Sequence, residues 1–226
     1  MADTALVIVA RYPQPGTTKT RLARALGNEE TVRLYRAFLT DLAQRFADWP
    51  EYDLCWAYTP AGVDYTEFML ELAPPLVRHM HFFPQQGEGL GERLLNAFRW
   101  TYEHGYGRTV LIGSDSPHIG RDTVAGARDA LDYADVVLGP AEDGGYYMIG
   151  MRRPHDVFRD IPMSTSAVLR MTIELAQGQD LEVNIQETLF DIDELPDLAR
   201  LAQLLRTDAS LAPATAAYIE QMKEFA

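Results

Sequence analysis

The chain has 226 residues, 47% of them hydrophobic, and a formal net charge of -13, so it holds enough apolar material for a large core in one domain spanning 1–226. That charge excludes nucleic-acid backbones and anionic membrane surfaces as expected partners. The one cysteine, Cys55, excludes an internal disulfide, and with strand-sized apolar runs and no basic-then-apolar leader the expected location is the cytoplasm.

The apolar run 5–10 reads as a buried strand entering a Pro/Gly loop, Arg11-Tyr-Pro-Gln-Pro-Gly16, and then a helix start near Thr18 that carries Lys19, Arg21 and Arg24. Asn28 is expected to cap the next helix, with Glu29 and Glu30 in its first turn and Tyr35, Phe38, Leu39, Leu42 and Phe46 on one face. Strands follow at 53–58 and 77–83, separated by a helix over 65–72. Cys55 lies inside the first of these, so a buried structural thiol is expected. The loop Gly87-Glu-Gly-Leu-Gly91 leads into a helix with Leu94, Leu95, Phe98 and Tyr102 turned inward, ended by Gly105. A strand at 109–112, a helix at 123–131 and strands at 135–138 and 146–151 come next. A helix over 165–176 with Val168, Met171 and Leu175 on one face, a short strand at 181–185, and helices at 196–205 and 213–225 complete the chain. This alternation predicts an α/β fold with a Rossmann-like, doubly wound, mostly parallel sheet and helices on both faces.

Ligands of such sheets bind beyond the carboxyl ends of the strands. In the first loop, Gly16 lets backbone approach a ligand, helix N–H groups would face an anion, and Lys19 and Arg21 add full charges suited to phosphate. The same cations could instead solvate an outer helix face. The string Gly16-Thr17-Thr18-Lys19-Thr20 is not a Walker A loop, because no second glycine precedes the lysine. Ile112-Gly-Ser-Asp-Ser-Pro117 places Asp115 just past a strand end, where it could bind magnesium or cap a turn. Ala141-Glu-Asp-Gly-Gly-Tyr-Tyr147 makes a tight turn open to a ligand, with tyrosines able to stack on a ring and donate hydrogen bonds, or else an ordinary Asp-Gly hairpin. In Phe190-Asp-Ile-Asp-Glu-Leu-Pro196, Asp193 fits a helix cap, whereas Asp191 is less easily explained that way. His79 and His81 alternate along a strand but lack a partner at zinc-ligand spacing. No Gly-x-Ser-x-Gly elbow or Cys/His pair marks a nucleophile.

Taken in order, 10–22, 87–93, 112–117, 139–147 and 191–193 resemble the bacterial GT-A-like nucleotide-diphospho-sugar transferases, labelled "glycosyltransferase A family" or "selenodomain-associated transferase". The likeness spans 6–198, and its long Lys-Thr-Arg-Leu and Glu-Asp-Gly-Gly-Tyr motifs are specific. The chain is also similar to the molybdenum-cofactor and phospholactate nucleotidyltransferases, which share the cationic first loop and a late Asp-x-Asp before a helix. The resemblance implies a nucleotide or nucleotide-sugar donor held by Arg11, Gly16, Thr17, Thr18, Lys19, Arg21, Gly87, Arg93, Ser114, Gly144, Gly145 and Tyr146. It implies Mg2+ or Mn2+ on Asp115 with Asp191 or Asp193, and a small-molecule acceptor oriented or deprotonated by Asp143, while Lys19 and Arg21 stabilise the leaving diphosphate. Two departures stand out. The strand-end Asp-x-Asp of GT-A glycosyltransferases is Gly113-Ser114-Asp115 here, and Met163 occupies a place where relatives commonly carry an aromatic residue. The expected activity is glycosyl transfer. Nucleotidyl transfer with pyrophosphate release is the alternative, and a non-catalytic nucleotide-binding module is a third reading.

Overall fold

Strand β1 (Thr4–Arg11) is apolar on both faces because helices cover the sheet on both sides. A computed structural model describes residues 2–163 and 165–222. The chain alternates β1, α1 (Thr20–Leu26), α2 (Asn28–Phe46), β2 (Tyr52–Thr59), α3 (Tyr65–Leu72), β3 (Met80–Pro84), α4 (Leu90–Glu103), β4 (Arg108–Gly113), α5 (Arg121–Ala130) and β5 (Val136–Pro140). It continues through β6 (Tyr146–Met151), α6 (Val168–Gln177), β7 (Val183–Ile185), α7 (Leu195–Thr207) and α8 (Pro213–Ile219). All seven strands join one sheet in the order β3-β2-β1-β4-β6-β5-β7. Only β6 runs antiparallel to its neighbours, β4 and β5, which keeps the sheet mostly parallel as the alternation predicts.

The period-2 alternation of β1 divides its side chains between two cores. Leu6, Ile8 and Ala10 pack with α1, α2, α3, α5, α7 and α8, whereas Ala5 and Val7 pack with α4 and α6. Cys55 is fully buried in the second core, and burial pushes its thiol up to about 12, so it is inert packing. No helix among the described residues is long and apolar enough to cross a membrane.

Several boundaries differ from expectation for local reasons. Gly27, at φ 85, ends α1 and opens α2 at once, so Asn28 is the first helical residue and not the cap. Residues Val77–His79 form a 3-10 turn, which delays β3 to Met80 and removes the expected alternation of His79 with His81. Tyr102 is half exposed. Helix α6 begins only at Val168, and its buried stripe is Val168, Thr172 and Ala176, leaving Met171 and Leu175 half-buried. The cap of α7 is Glu194, in a capping box with Asp197, so Asp193 is free of that duty. Helix α8 ends at Ile219, and the predicted end at 225 lies outside the described residues.

Helix α8 has no capping side chain of its own, because Ala212 stands at its N-terminus. Asp41, buried on α2, supplies the cap across the core. Its Oδ1 accepts the Ala214 N–H at 2.7 Å, and its Oδ2 accepts the Thr215 N–H at 2.8 Å and hydroxyl at 2.6 Å. Asp41→Ala should therefore lower stability by about 2–3 kcal/mol in urea denaturation and raise amide exchange in α8.

Candidate active site

The strand order reverses between β1 and β4, since β1 leads outward to β2 and β3 on one side while β4 begins the other half. In open α/β sheets this reversal opens a crevice at the carboxyl ends of the strands. The loop after β1 and the loop after β4 both empty into it, and each delivers a charge. Lys19 Nζ lies 2.8 Å from Asp115 Oδ1 and 3.0 Å from Asp193 Oδ1. The lysine side chain is 5% exposed, while the two carboxylates are 44% and 42% exposed. Burial alone would lower the pKa of Lys19, but the attraction and hydrogen bonds of Asp115 and then Asp193 raise it above the ordinary lysine range. The ammonium is thus charged throughout the physiological range.

Asp193 reaches this point because the stretch before α7 runs beside the end of β5. Leu189 donates its N–H to the Pro140 carbonyl, and Ile192 donates to the Asp115 carbonyl at 3.0 Å. Asp191 accepts a hydrogen bond from the Ser116 hydroxyl, and burial pushes its carboxyl up to about 6 against that bond. Ser114 shares a 2.7 Å hydrogen bond with the Tyr35 hydroxyl, which also accepts the Arg11 N–H at 3.2 Å. Burial pushes Tyr35 up to about 12, so it remains a neutral strut joining the two loops.

The crevice has two adjoining chambers. One, of about 290 Å3, is walled by apolar side chains including Val9, Leu90, Leu94, Met163 and Val168, with Ser114, Asp115 and Asp191 on its polar side. The other, of about 600 Å3, is walled by Arg11, Thr17, Lys19, Thr20, Arg21 and Ser166. Asp143, Thr165 and Asp193 line both. Gly145 and Tyr146 line the apolar chamber.

Other predicted positions fall outside these walls. Thr18 is buried and its Oγ1 accepts the Gln14 N–H at 2.8 Å, so it braces the loop. The N–H groups of Thr17 and Thr18 are both bonded to the Gln14 carbonyl, and α1 begins only at Thr20. The N–H groups at the start of α1 are therefore those from Thr20 onward, and Thr20 and Arg21 line the chamber. Gly16 supplies the φ of 80 that the loop needs without lining a chamber. Gly87 and Arg93 engage each other through a 2.9 Å bond from Arg93 Nε to the Gly87 carbonyl. The 139–147 segment is indeed a hairpin, with Asp143 Oδ1 accepting the Gly145 N–H at 2.8 Å, and its turn also forms chamber wall. Both tyrosine hydroxyls are buried, and that of Tyr147 donates to the Glu187 carbonyl, so neither offers the expected hydrogen bond to a ligand. Nothing in the local sequence of Thr165 or Leu90 marks either as chamber wall, and Met163 stands out there only for the aromatic residue it replaces.

Gly144 holds the hairpin against the segment before α6. At φ 90, an added Cβ would stand 2.4 Å from the Ser166 carbonyl oxygen, whereas at Gly16 the space is open. Gly144→Ala should cost about 2 kcal/mol or more and displace the Thr165 wall, against about 1 kcal/mol for Gly16→Ala, as read from urea midpoints. Beneath the 190–193 segment, the His118 ring packs 4.5 Å from that of Phe190 with both nitrogens buried and unpartnered. Burial, with Arg45 and Arg200 nearby, lowers its pKa from 6.5 to about 4. Its neutral form contributes stability that is present above pH 6.5 and lost as pH falls toward 4, up to about 3 kcal/mol. His118→Phe should show a correspondingly shallower fall in stability than the parent chain over that range.

A family described as an uncharacterized protein conserved in bacteria (DUF2064) matches residues 39–165. No curated protein matches the chain. Among solved structures, a Desulfovibrio desulfuricans G20 protein provisionally named a nucleotide-diphospho-sugar transferase is 33% identical, with a TM-score of 0.90 over 100% of this chain and 97% of that one. The 4-diphosphocytidyl-2C-methyl-D-erythritol synthase of Anaerococcus prevotii is 8% identical, with a TM-score of 0.58 over 90% and 96% of the two chains. A cytidylyltransferase of Leptospira borgpetersenii is 14% identical, with a TM-score of 0.54 over 99% and 95%. The latter two share the fold alone. The chain belongs to the DUF2064 family of bacterial proteins, built on the fold of the nucleotide-diphospho-sugar transferases.

Proposed function

We propose that the chain is a magnesium- or manganese-dependent transferase that moves the sugar of a nucleotide-activated donor to a small acceptor. The observation that carries this reading is the cationic chamber of Arg11, Lys19 and Arg21 opening onto an apolar chamber, with Asp143 at their junction. The provisional name of the 33% identical Desulfovibrio protein supports it. A net charge of -13 repels a diphosphate at long range, so the chain needs this local cluster to hold one.

The donor set suits a hard divalent cation. Asp115 and Asp193 bring two half-exposed carboxylates to the cleft, each with one oxygen paired to Lys19, and among the described residues no three His, Cys, Asp or Glu side chains converge at ligand spacing. Magnesium is commonly held in this way, by one or two carboxylates with substrate phosphates completing the shell. When bound, the cation would neutralise charge developing on the diphosphate leaving group. Arg11, Lys19 and Arg21 bind and orient the same phosphates. Asp143, fixed by the Gly145 N–H, accepts the acceptor hydroxyl proton. Leu90, Met163 and Val168 exclude water from the reacting carbon.

Nucleotidyl transfer is the second reading, favoured by Asp191-Ile192-Asp193, which is similar to the late acidic pair of the nucleotidyltransferases. The same cations would then hold the departing pyrophosphate. A thermal-shift screen of nucleotides and nucleotide sugars, with and without Mg2+ or Mn2+, tests both. A ligand at 100 times its dissociation constant should raise stability by about 2.7 kcal/mol. Asp115→Asn should abolish the metal-dependent part of that rise; an unchanged rise would refute the metal assignment. Nucleoside diphosphate as product identifies glycosyl transfer, pyrophosphate identifies nucleotidyl transfer, and binding without turnover across the panel identifies a non-catalytic module.

A further inference from the structure

Lys19 is built into its position. Its backbone is left-handed at φ 42 and ψ 55, a conformation that a non-glycine residue holds only under strain. Thr18 and Gln14 brace the preceding turn, and the Lys19 carbonyl accepts the Ala23 N–H, so the loop aims the side chain inward from both ends. The ammonium then lies between one oxygen of Asp115 and one of Asp193, at 2.8 and 3.0 Å. A magnesium ion bound by those oxygens would approach each to about 2.0–2.1 Å. On those two oxygens the ammonium and the ion would compete for the same space and repel each other, so there the two occupancies exclude one another.

The geometry points to Lys19 as an internal cation that holds the Asp115–Asp193 pair closed to divalent metal until donor phosphates draw the ammonium away. This rests on the proposed phosphate site and adds an order to it. A buried ammonium cannot leave two carboxylates for nothing, because an unpaired charge in that position is strongly destabilising. Lys19 also forms part of the cationic chamber wall, so a diphosphate there offers it replacement oxygens from the same backbone position. Phosphate then takes the lysine and metal takes the carboxylates. Each ligand removes an obstacle to the other, and by linkage the enhancement is equal in both directions.

The test measures Mn2+ binding by calorimetry and by the paramagnetic resonance of free Mn2+, for the parent chain, Lys19→Met and Lys19→Gln, first without nucleotide. The parent chain should bind Mn2+ weakly, and both variants at least about tenfold more tightly. The glutamine variant keeps an amide that can bond the carboxylates, and it carries the comparison if circular dichroism shows Lys19→Met unfolded. Variants that bind Mn2+ no more tightly than the parent overturn the proposal. With UDP, CDP, ADP and GDP added singly, the parent chain should tighten its hold on Mn2+ by roughly 5- to 150-fold for the nucleotide it binds. Independent binding of Mn2+ and that nucleotide to the parent chain overturns the proposal without recourse to any variant. If no nucleotide binds, the transferase reading fails, while the nucleotide-free comparison still reports whether Lys19 keeps the metal out.

Discussion

A buried ammonium is the constraint on which the rest of the cleft depends. Lys19 is nearly sealed from solvent, and its charge is tolerable only beside anions. Asp115 and Asp193 meet that need, and in doing so they tie together the loop after β1, the loop after β4 and the stretch before α7. The neighbouring bonds reinforce the tie. Tyr35 joins Ser114 to Arg11, Ser116 joins Asp191, and the Ile192 N–H joins the Asp115 carbonyl. Three segments distant in sequence are thereby set in one register around the mouth of the sheet.

The sheet makes this register possible because its strand ends are rigid. Both faces of β1 are covered, one by the larger core under α2 and α8 and the other by the core under α4 and α6. A strand buried on both faces has little freedom to shift, since a one-residue slip would exchange its two side-chain sets. Charged loops mounted on such ends keep their spacing. The walls of the chambers are of a different kind. The irregular stretch between β6 and α6 brings Met163, Thr165 and Ser166 over the crevice and is held there by contact with Gly91 and Gly144. Glycine is required at Gly144 because its neighbour approaches too closely for any side chain and its φ is positive.

Much of the architecture was legible from local pattern. Apolar runs of strand length, amphipathic helices such as α2 and α4, and the turn residues between them are all set by neighbours within a few positions, and their order implied a doubly wound sheet. The departures from that pattern are also local in cause. Gly27 served two helices, a 3-10 turn displaced the start of β3, and Glu194 took the capping duty for which Asp193 was a candidate. The cap that Asp41 supplies to α8 could not be read from sequence, because nothing near residue 213 announces a partner on α2.

The class of fold, the loops that carry charge and the residues worth suspecting all follow from local pattern, since periodicity and motif spacing are short-range properties of a chain. Which charges meet is set by how the sheet and its loops pack. Lys19 and Asp193 stand 174 residues apart and are joined because the strand order reverses between β1 and β4 and the 190–193 segment returns beside β5. Folding likewise decided that Thr18, Gly87 and Arg93 brace their own loops and that Asp143 stands where the cationic and apolar chambers meet. Such contacts follow from how packed layers place strand ends against one another, and no local stretch of sequence contains that information.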